Sequence, residues 1–482
     1  MVARRFICIS IIASAHARQG SGTYHPDKCI EIKGKYAMLI SMNTQSHNGR
    51  AIVTYGRSLI ALMIAQSLGS RGIDVIGCDD VSMTVLSFSQ YVSDNCIYTA
   101  AQDNEEQFID DLVKIVRDHA PDTDMPYVLI PAFRDAKIIA RHKDRFDGLI
   151  TVACPDFDAI DQVDHKDAFA RTTQKHDVPS PQTWLPEDNQ ALQDLLPDIT
   201  FPVFIKPPDD VGGRGISKIK NADDLTKAFA DLQGRYPDQQ ILIQELAKGV
   251  DYCFCGLFNH GTLEASMVYH NLEKFPREAG QGVVRETVSS KHFDDLAEQL
   301  MKPLKWHGVA GIDFMWDGND QTTPMMIEVN PRFWAGLDHS MRSNVDFPWL
   351  LYCQFTGTPA QGDFDAKIGH KTELPGLASM ARIEHLFAET IHLDALEEQW
   401  PKIKQSIKDH DLKAAGAIFK DALQDTLSIE KAFSAFQALR KEAKESEAIS
   451  YAQDDPFIGL GVLFILGSLI KHGTLPPEIK WS

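Results

Sequence analysis

Gly311-Ile312-Asp313-Phe314-Met315-Trp316, joined by a polar loop to Met325-Met326-Ile327-Glu328-Val329-Asn330-Pro331-Arg332, is the stretch on which the fold turns. Side chains alternate across a strand, so Met326, Glu328 and Asn330 are expected on one face and Met325, Ile327 and Val329 on the other. If the loop Asp317 to Pro324 closes a hairpin in which Trp316 meets Met325, Asp313 falls opposite Glu328, with side chains about 5 Å apart. Two carboxylates so placed repel unless one is protonated or a divalent cation neutralises both, and hard oxygen ligands suit magnesium. A solvated hairpin with incidental charges is the competing account, and the rest of the chain has to decide.

The chain has 482 residues, 44% hydrophobic and 24% charged, which fits a soluble globular protein of two to four domains. Its 48 basic and 67 acidic residues give a net charge of -19. Such a surface argues against nucleic acid and anionic membranes as partners, so any phosphate site has to be local. The 8 cysteines are scattered with no C-x-x-C pair, which favours buried thiols in a reducing compartment over a zinc or disulfide framework. Residues 1–36 begin like a secretory signal, with basic residues, the apolar run Phe6 to Ala15 and the small-residue step Ala15-His16-Ala17. The favoured reading is an accessory extension with Met38 or Met42 as candidate starts. Export with cleavage after Ala17 is the alternative. Phe457 to Ile470 is apolar but shorter than the about 20 residues a membrane span needs, so no transmembrane span is expected there.

Upstream of the hairpin, from Ala51, the pattern reads strand, helix, strand and ends at Asp79-Asp80. It lacks G-x-G-x-x-G, so a dinucleotide role is weakly supported, and Asp79 either holds a ligand or faces solvent. A helix from Glu105 to Asp118 and a strand Tyr127 to Ile130 continue this α/β unit. After the proline-rich Val178-Pro179-Ser180-Pro181, the apolar strand Val203 to Lys206 ends in a lysine, and the loop Asp209 to Gly215 follows at once. Glycines let backbone N–H groups turn toward an anion and the lysine adds a point charge, which makes a triphosphate cradle; a glycine-rich hairpin turn is the plain alternative. It is not a Walker A loop. The strand Ile241 to Leu246 can offer backbone groups to an adenine rim, and Asp251 can accept ribose hydroxyls.

Taken in order, His165-Lys166-Asp167, Ile205-Lys206-Pro207, the glycine loop, Gln244-Glu245 through Gly249, and Asp313 with Glu328-x-Asn330-Pro331-Arg332 resemble the ATP-grasp superfamily. The nearest likeness is to its carbamoyl-phosphate-synthase-like and carboxylate-amine ligase branches, and it covers about Ile52 to Phe355. It implies an α/β and α+β chain in which a Rossmann-like domain (37–160) precedes the ATP-grasp fold. That fold divides into a small lid subdomain (161–250) and a metal and catalytic subdomain (251–361), and a helical region (362–482) follows. Lys166 and Lys206 look like the lysines that contact ATP phosphates, and Gly212, Gly213 and Gly215 like the closing loop. Gln244, Glu245 and Leu246 look like the adenine hinge, and Asp251 like the ribose ligand. Asp313, Glu328 and Asn330 look like the ligands of magnesium, with manganese as a second candidate. Arg332 and Lys206 are the expected catalytic residues. The family pattern more often has Glu or Gln where Asp313 stands, which loosens one metal site.

The implied activity is ATP-dependent activation of a small carboxylate as an acyl-phosphate, followed by attack of an amine. A bicarbonate-activating enzyme of carbamoyl-phosphate-synthase or carboxylase type and a non-catalytic ATP-binding regulator are the alternatives. Arg277, Arg285 and Glu286 are candidates for gripping carboxylate and amine, and His339 and Arg342 are weaker ones; Trp334 reads as core. Small-molecule substrates, a cytoplasmic setting and a homodimer as candidate assembly complete the expectation.

Overall fold

The computed structural model describes residues 48–207, 217–237, 239–275, 280–375, 377–379, 381–382, 402, 405, 446–450 and 455. The expected extension 1–36, the amphipathic runs at 396–410 and 429–443 and the apolar run at 457–470 lie outside them almost entirely.

The first layer is built from β1 (Arg50–Val53), α1 (Leu59–Gly69), β2 (Asp74–Asp79), β3 (Val92–Ile97), α2 (Glu105–Asp118), β4 (Tyr127–Ile130), α3 (Asp135–Arg141) and β5 (Thr151–Val152). Its strands form one parallel sheet in the order β3-β2-β1-β4-β5. Strands β1, β2 and β4 are near-continuous apolar runs, as a sheet covered on both faces requires. The sequence of α2 contains its own boundaries. The Asn104 side chain accepts from the Gln107 backbone N–H, Glu105 and Glu106 sit in the first turn, and Arg117 sits in the last. Phe108, Ile109, Leu112, Val113, Ile115 and Val116 give it one buried face.

Helices α4 (Phe157–Asp164) and α5 (Lys166–Lys175) lead to a small sheet. This contains β6 (Thr183–Trp184), α6 (Asn189–Leu195), β7 (Val203–Lys206), β8 (Ser217–Ile219), α7 (Ala222–Arg235) and β9 (Leu242–Glu245), with strand order β6-β9-β7-β8. The large sheet follows with β10 (Val250–Asn259), β11 (Thr262–Phe275), β12 (Gln281–Val288), α8 (Asp294–Met301), β13 (Gly308–Trp316), β14 (Met325–Asn330), α9 (Leu337–Arg342), α10 (Phe347–Thr356), β15 (Lys371–Glu373) and β16 (Glu447–Ala448). Its order is β14-β13-β10-β11-β12-β15-β16.

Two buried clusters cross from the parallel sheet to the large sheet. One joins Ile52, Phe108 and Leu129 to Phe254, Phe293, Phe314, Met326 and Val329. The other joins Ala51, Val53 and Leu62 to Cys255, Met267, Trp334 and Leu351. The small sheet alone has a core of its own, made of Leu192, Val203, Ile205, Leu225, Phe229, Ile241 and Ile243 among others. Phe169 of α5 and Val178 belong to the first shared cluster, so the small sheet's own core starts later than the expected boundary at 161. The region expected to be helical after residue 362 also supplies strands β15 and β16, which extend the large sheet beside β12.

Candidate active site

Asp313 stands opposite Glu328 and Gly311 opposite Asn330 on β13 and β14. The pairing of the two carboxylates is as expected, but Met315, not Trp316, meets Met325. A bulge beside Ile327 restores the count, because one extra residue on β14 shifts the register by one. The same bulge breaks the expected alternation. Met326 turns into the core together with Val329, while Glu328 remains exposed and Asn330 half-buried.

On the next strand, Cys253 is the register partner of Asp313, so the two side chains share one face of the sheet. Burial, and then the neighbouring charge of Glu328, push the Asp313 carboxyl up to about 6. Asn330 Nδ2 donates to Asp313 Oδ2 at 3.3 Å, and Arg332 Nη2 donates to Asn330 Oδ1 at 3.0 Å. Asp313, Asn330 and Arg332 therefore form one hydrogen-bonded chain along the sheet end. Burial lowers the Arg332 guanidinium pKa, with Glu328 and Asp313 opposing, and its plane lies 4.5 Å from the Phe133 ring centroid.

From the small sheet, Lys206 closes on this group. Its pKa is lowered to about 8, by burial first and by the Lys166 charge second, while Glu328 acts in the opposite sense. Lys206 Nζ donates to Gln244 Oε1 at 2.5 Å, and Gln244 Nε2 donates to Thr183 Oγ1 at 2.9 Å. The Gln244 side chain, expected at an adenine hinge, is thus committed at both ends, to Lys206 and to Thr183. Glu245 is exposed and gives its backbone N–H to Gln182 O at 2.9 Å, and Leu246 lies just past the strand end. Asp251 faces the same side of the sheet as Asp313; Asn271 Nδ2 donates to it at 2.8 Å and Lys274 Nζ at 2.6 Å. Burial works against its ionisation, but the Lys274 and Asn271 hydrogen bonds prevail and hold the carboxyl below its usual range.

Among the described candidates for gripping the substrates, Arg285 and Glu286 are not brought together. Arg277 and the loop glycines Gly212, Gly213 and Gly215 lie outside the described residues. Arg285 and Glu286 are consecutive on β12 and so point to opposite faces. Arg285 is buried beside Asp338, with an N···O separation of 3.7 Å, on the Asp313 side of the sheet. Glu286 turns away to His270 Nε2 at 3.2 Å. His339 is a buried core histidine between Thr287 Oγ1 and Thr372 Oγ1, its pKa well below the usual value by burial. Arg342 pairs with Glu447 at 2.5 Å, and Trp334 is core as expected.

Sequence reasoning did not find the residues that the parallel sheet contributes to this cleft. Tyr55, at the end of β1, has a left-handed backbone (φ 54) and stacks on Phe133 at 5.0 Å between centroids. Asp79 does not face solvent: it is buried, accepts Arg57 N–H at 2.8 Å and pairs with the Arg57 guanidinium. Asp135, also buried, has its carboxyl raised to about 6 by desolvation. These groups cluster at the carboxyl ends of parallel strands, where open α/β sheets place their ligands. Phe133, on which Tyr55 stacks, and Arg134 bring this end of the sheet beside Arg332.

All the oxygen donors of the hairpin, a carboxylate pair with an amide beside it, fit magnesium. Burial and the Glu328 charge, which raise the Asp313 carboxyl, are conditions that a bound cation would offset. Residues 163–336 match the family model described as an ATP-grasp domain, so the chain carries an ATP-grasp domain over the segment that contains the hairpin, the small sheet and both lysines. Within that class, one curated relative is the C-terminal section of the carbamoyl phosphate synthase large chain of Methanopyrus kandleri, 23% identical over 191 residues. The match covers 38% of this chain and 35% of that protein, so the chain spans about a third of this relative's length.

Among solved structures, the biotin carboxylase domain of Hydrogenobacter thermophilus 2-oxoglutarate carboxylase, with MgADP, ADP and bicarbonate, aligns with a TM-score of 0.54 and 14% identity, over 67% of this chain and 73% of that one. N5-carboxyaminoimidazole synthetase from Staphylococcus aureus aligns with a TM-score of 0.53 and 12% identity, over 75% and 88%. These similarities establish the ATP-grasp fold. Among the described residues, no helix is long and apolar enough to cross a membrane.

Proposed function

We propose that this chain is an ATP-dependent ligase that activates a small carboxylate as an acyl-phosphate and delivers it to an amine. The observation that carries this reading is the facing pair Asp313 and Glu328, with Arg332 and Lys206 converging on it. In the first step a carboxylate oxygen bonds the γ-phosphorus of ATP while the bond to the β-phosphate oxygen breaks, releasing ADP. In the second the amine attacks the acyl carbon, phosphate leaves, and the nitrogen gives up a proton. Asp313, Glu328 and Asn330 would hold magnesium, which when bound supplies charge neutralisation on the phosphates. Lys206, oriented by Gln244, and Lys166 hold the phosphate oxygens. Arg332 meets the charge that develops on the transferred group, in a half-buried setting where such a contact counts for more than in water. The backbone at Glu245 and Leu246 is left to bind adenine, and Asp251 to bind ribose. The carboxylate enters from the side of Tyr55 and Phe133, against Arg332, where the Arg134 guanidinium also lies over the Phe133 ring.

The test is ADP release across pairs of carboxylates and amines with magnesium. Turnover with at least one pair is expected, and Glu328→Gln should lower it at least about 100-fold while the fold is kept. ATP binding without turnover for any pair would instead favour a nucleotide-binding regulator. A second reading, with bicarbonate as the carboxylate, is favoured by the relatives, one a carbamoyl phosphate synthase and another solved with bicarbonate. ADP release that depends on bicarbonate alone would select it.

A further inference from the structure

The edge strand β3 and the end of α2 bring together three side chains that the ATP site does not use. Asp94 and Cys96 are two residues apart on β3, and so share a face, and His119 caps the C-terminus of α2. Cys96 Sγ lies 3.7 Å from His119 Nε2, and Asp94 Oδ2 lies 3.3 Å from the same nitrogen. The three donor atoms fall within 4.8 Å of one another.

The other ring nitrogen is committed: Nδ1 lies 2.9 Å from the Ile115 carbonyl oxygen, to which it can only donate. Protonated, the ring donates its Nε2–H to Asp94; neutral, it turns its Nε2 lone pair toward that carboxylate and a sulfur. Three electron-pair donors around one point repel unless a proton or a cation stands among them. A catalytic triad is a different arrangement, because there the carboxylate and the nucleophile sit on opposite ring nitrogens.

Two of the three separations, sulfur to nitrogen and nitrogen to oxygen, match a metal. A tetrahedral zinc, with ligand bonds of about 2.3 Å to sulfur and about 2.0 to 2.1 Å to nitrogen and oxygen, sets sulfur and nitrogen about 3.5 Å apart and nitrogen and oxygen about 3.3 Å apart. The surroundings fix each ligand. Asn95 N–H donates to Asp94 Oδ1 at 2.9 Å, leaving Oδ2 for the centre. Arg50 Nη1 donates to the His119 carbonyl at 2.6 Å. Cys78, the register partner of Cys96 on β2, is buried beside it. Metal ligands commonly have outer partners of this kind. The Asp94 and His119 side chains remain 34% and 20% exposed, which leaves a path for an ion.

We propose that Asp94, Cys96 and His119 form a three-ligand site for a zinc-class divalent cation, with its fourth position open to water, which clamps the edge strand β3 to α2. No sequence motif marks it, because Cys96 and His119 are 23 residues apart and meet only through the fold.

The test is a cobalt(II) titration of the reduced, chelator-stripped full chain without nucleotide. One equivalent should bind with a thiolate-to-cobalt charge-transfer band and tetrahedral d–d bands, displaced by zinc. The band should vanish in Cys96→Ser and His119→Gln, survive in Glu328→Gln, and require about tenfold more cobalt in Cys78→Ala. Zinc should also raise the melting temperature of the parent and not of Cys96→Ser. Circular dichroism of each variant, compared with the metal-free parent, separates loss of the site from loss of fold. Absence of the band in the folded parent, or an undiminished band in folded Cys96→Ser, would overturn the site. So would a Cys78–Cys96 disulfide in a protein that takes up no metal once reduced.

Discussion

Asp313 and Lys206 are held in protonation equilibria that burial has shifted against their charges, and ligands would relieve both. The Lys206 ammonium, near 8 instead of its ordinary 10.5, is half neutral at pH 8 in the free protein. A triphosphate beside it raises that pKa again, so nucleotide binding at pH 8 should take up about half a proton. Calorimetry in buffers of different ionisation enthalpy measures this uptake, and Lys206→Gln should abolish it; an apparent enthalpy independent of buffer would contradict the assignment. For Asp313 the folded pKa of about 6 lies above that of the unfolded carboxyl. Its contribution to stability is therefore complete at low pH and is lost as pH rises through about 6. In chelated protein at pH 7.5, Asp313→Asn should add about 1 kcal/mol of stability, an advantage that disappears near pH 4, and magnesium should no longer protect the variant. Thermal melts at the two pH values, with and without magnesium, check both parts.

At the scale of elements, the joint between the small and large sheets is set by one backbone conformation. Gly249 has φ +106, and a Cβ there would stand 2.0 Å from the Trp316 carbonyl oxygen, so Gly249→Ala should cost about 2 to 4 kcal/mol in denaturant unfolding. Gly234, in the last turn of α7, provides the contrast, because a Cβ there would meet nothing within 4 Å. Gly234→Ala should be neutral or add up to about 1 kcal/mol. What could be read in the sequence follows from the same local physics. The termini of α2 and the strand Val203–Lys206 rest on caps and alternation, which are local, whereas the facing of Asp313 with Glu328 is read through a turn register that the bulge offsets by one residue.

The bulge beside Ile327 was not legible, because an extra residue in one strand becomes visible only against its partner. Nor was the inward turn of Gln244, which depends on Lys206 two strand positions away on the neighbouring strand. The edge strand β3 was missed because Val92–Ile97 is largely polar and alternates weakly. The opposite facing of Arg285 and Glu286 was open to reading, since it follows from the period of a strand alone.

For the whole molecule, a net charge of -19 surrounds a cleft with Lys166, Lys206, Arg332 and Arg134 near one another. Long-range attraction therefore contributes little to nucleotide capture, and raising ionic strength should weaken nucleotide binding only through these few local contacts. A titration in rising salt should give a shallow slope, and a steep one would point to a broader basic surface. The separate core beneath β7 and β9 has a further consequence. The parallel and large sheets share their buried clusters, so they should open to solvent only as one cooperative unit, whereas the small sheet has the means to open alone. Native-state hydrogen exchange should then divide the backbone into two classes. Amides of Ile205 and Ile243 should become labile at a lower opening free energy than those of Ile52 and Ile312, and the protection of the first class should rise when nucleotide binds.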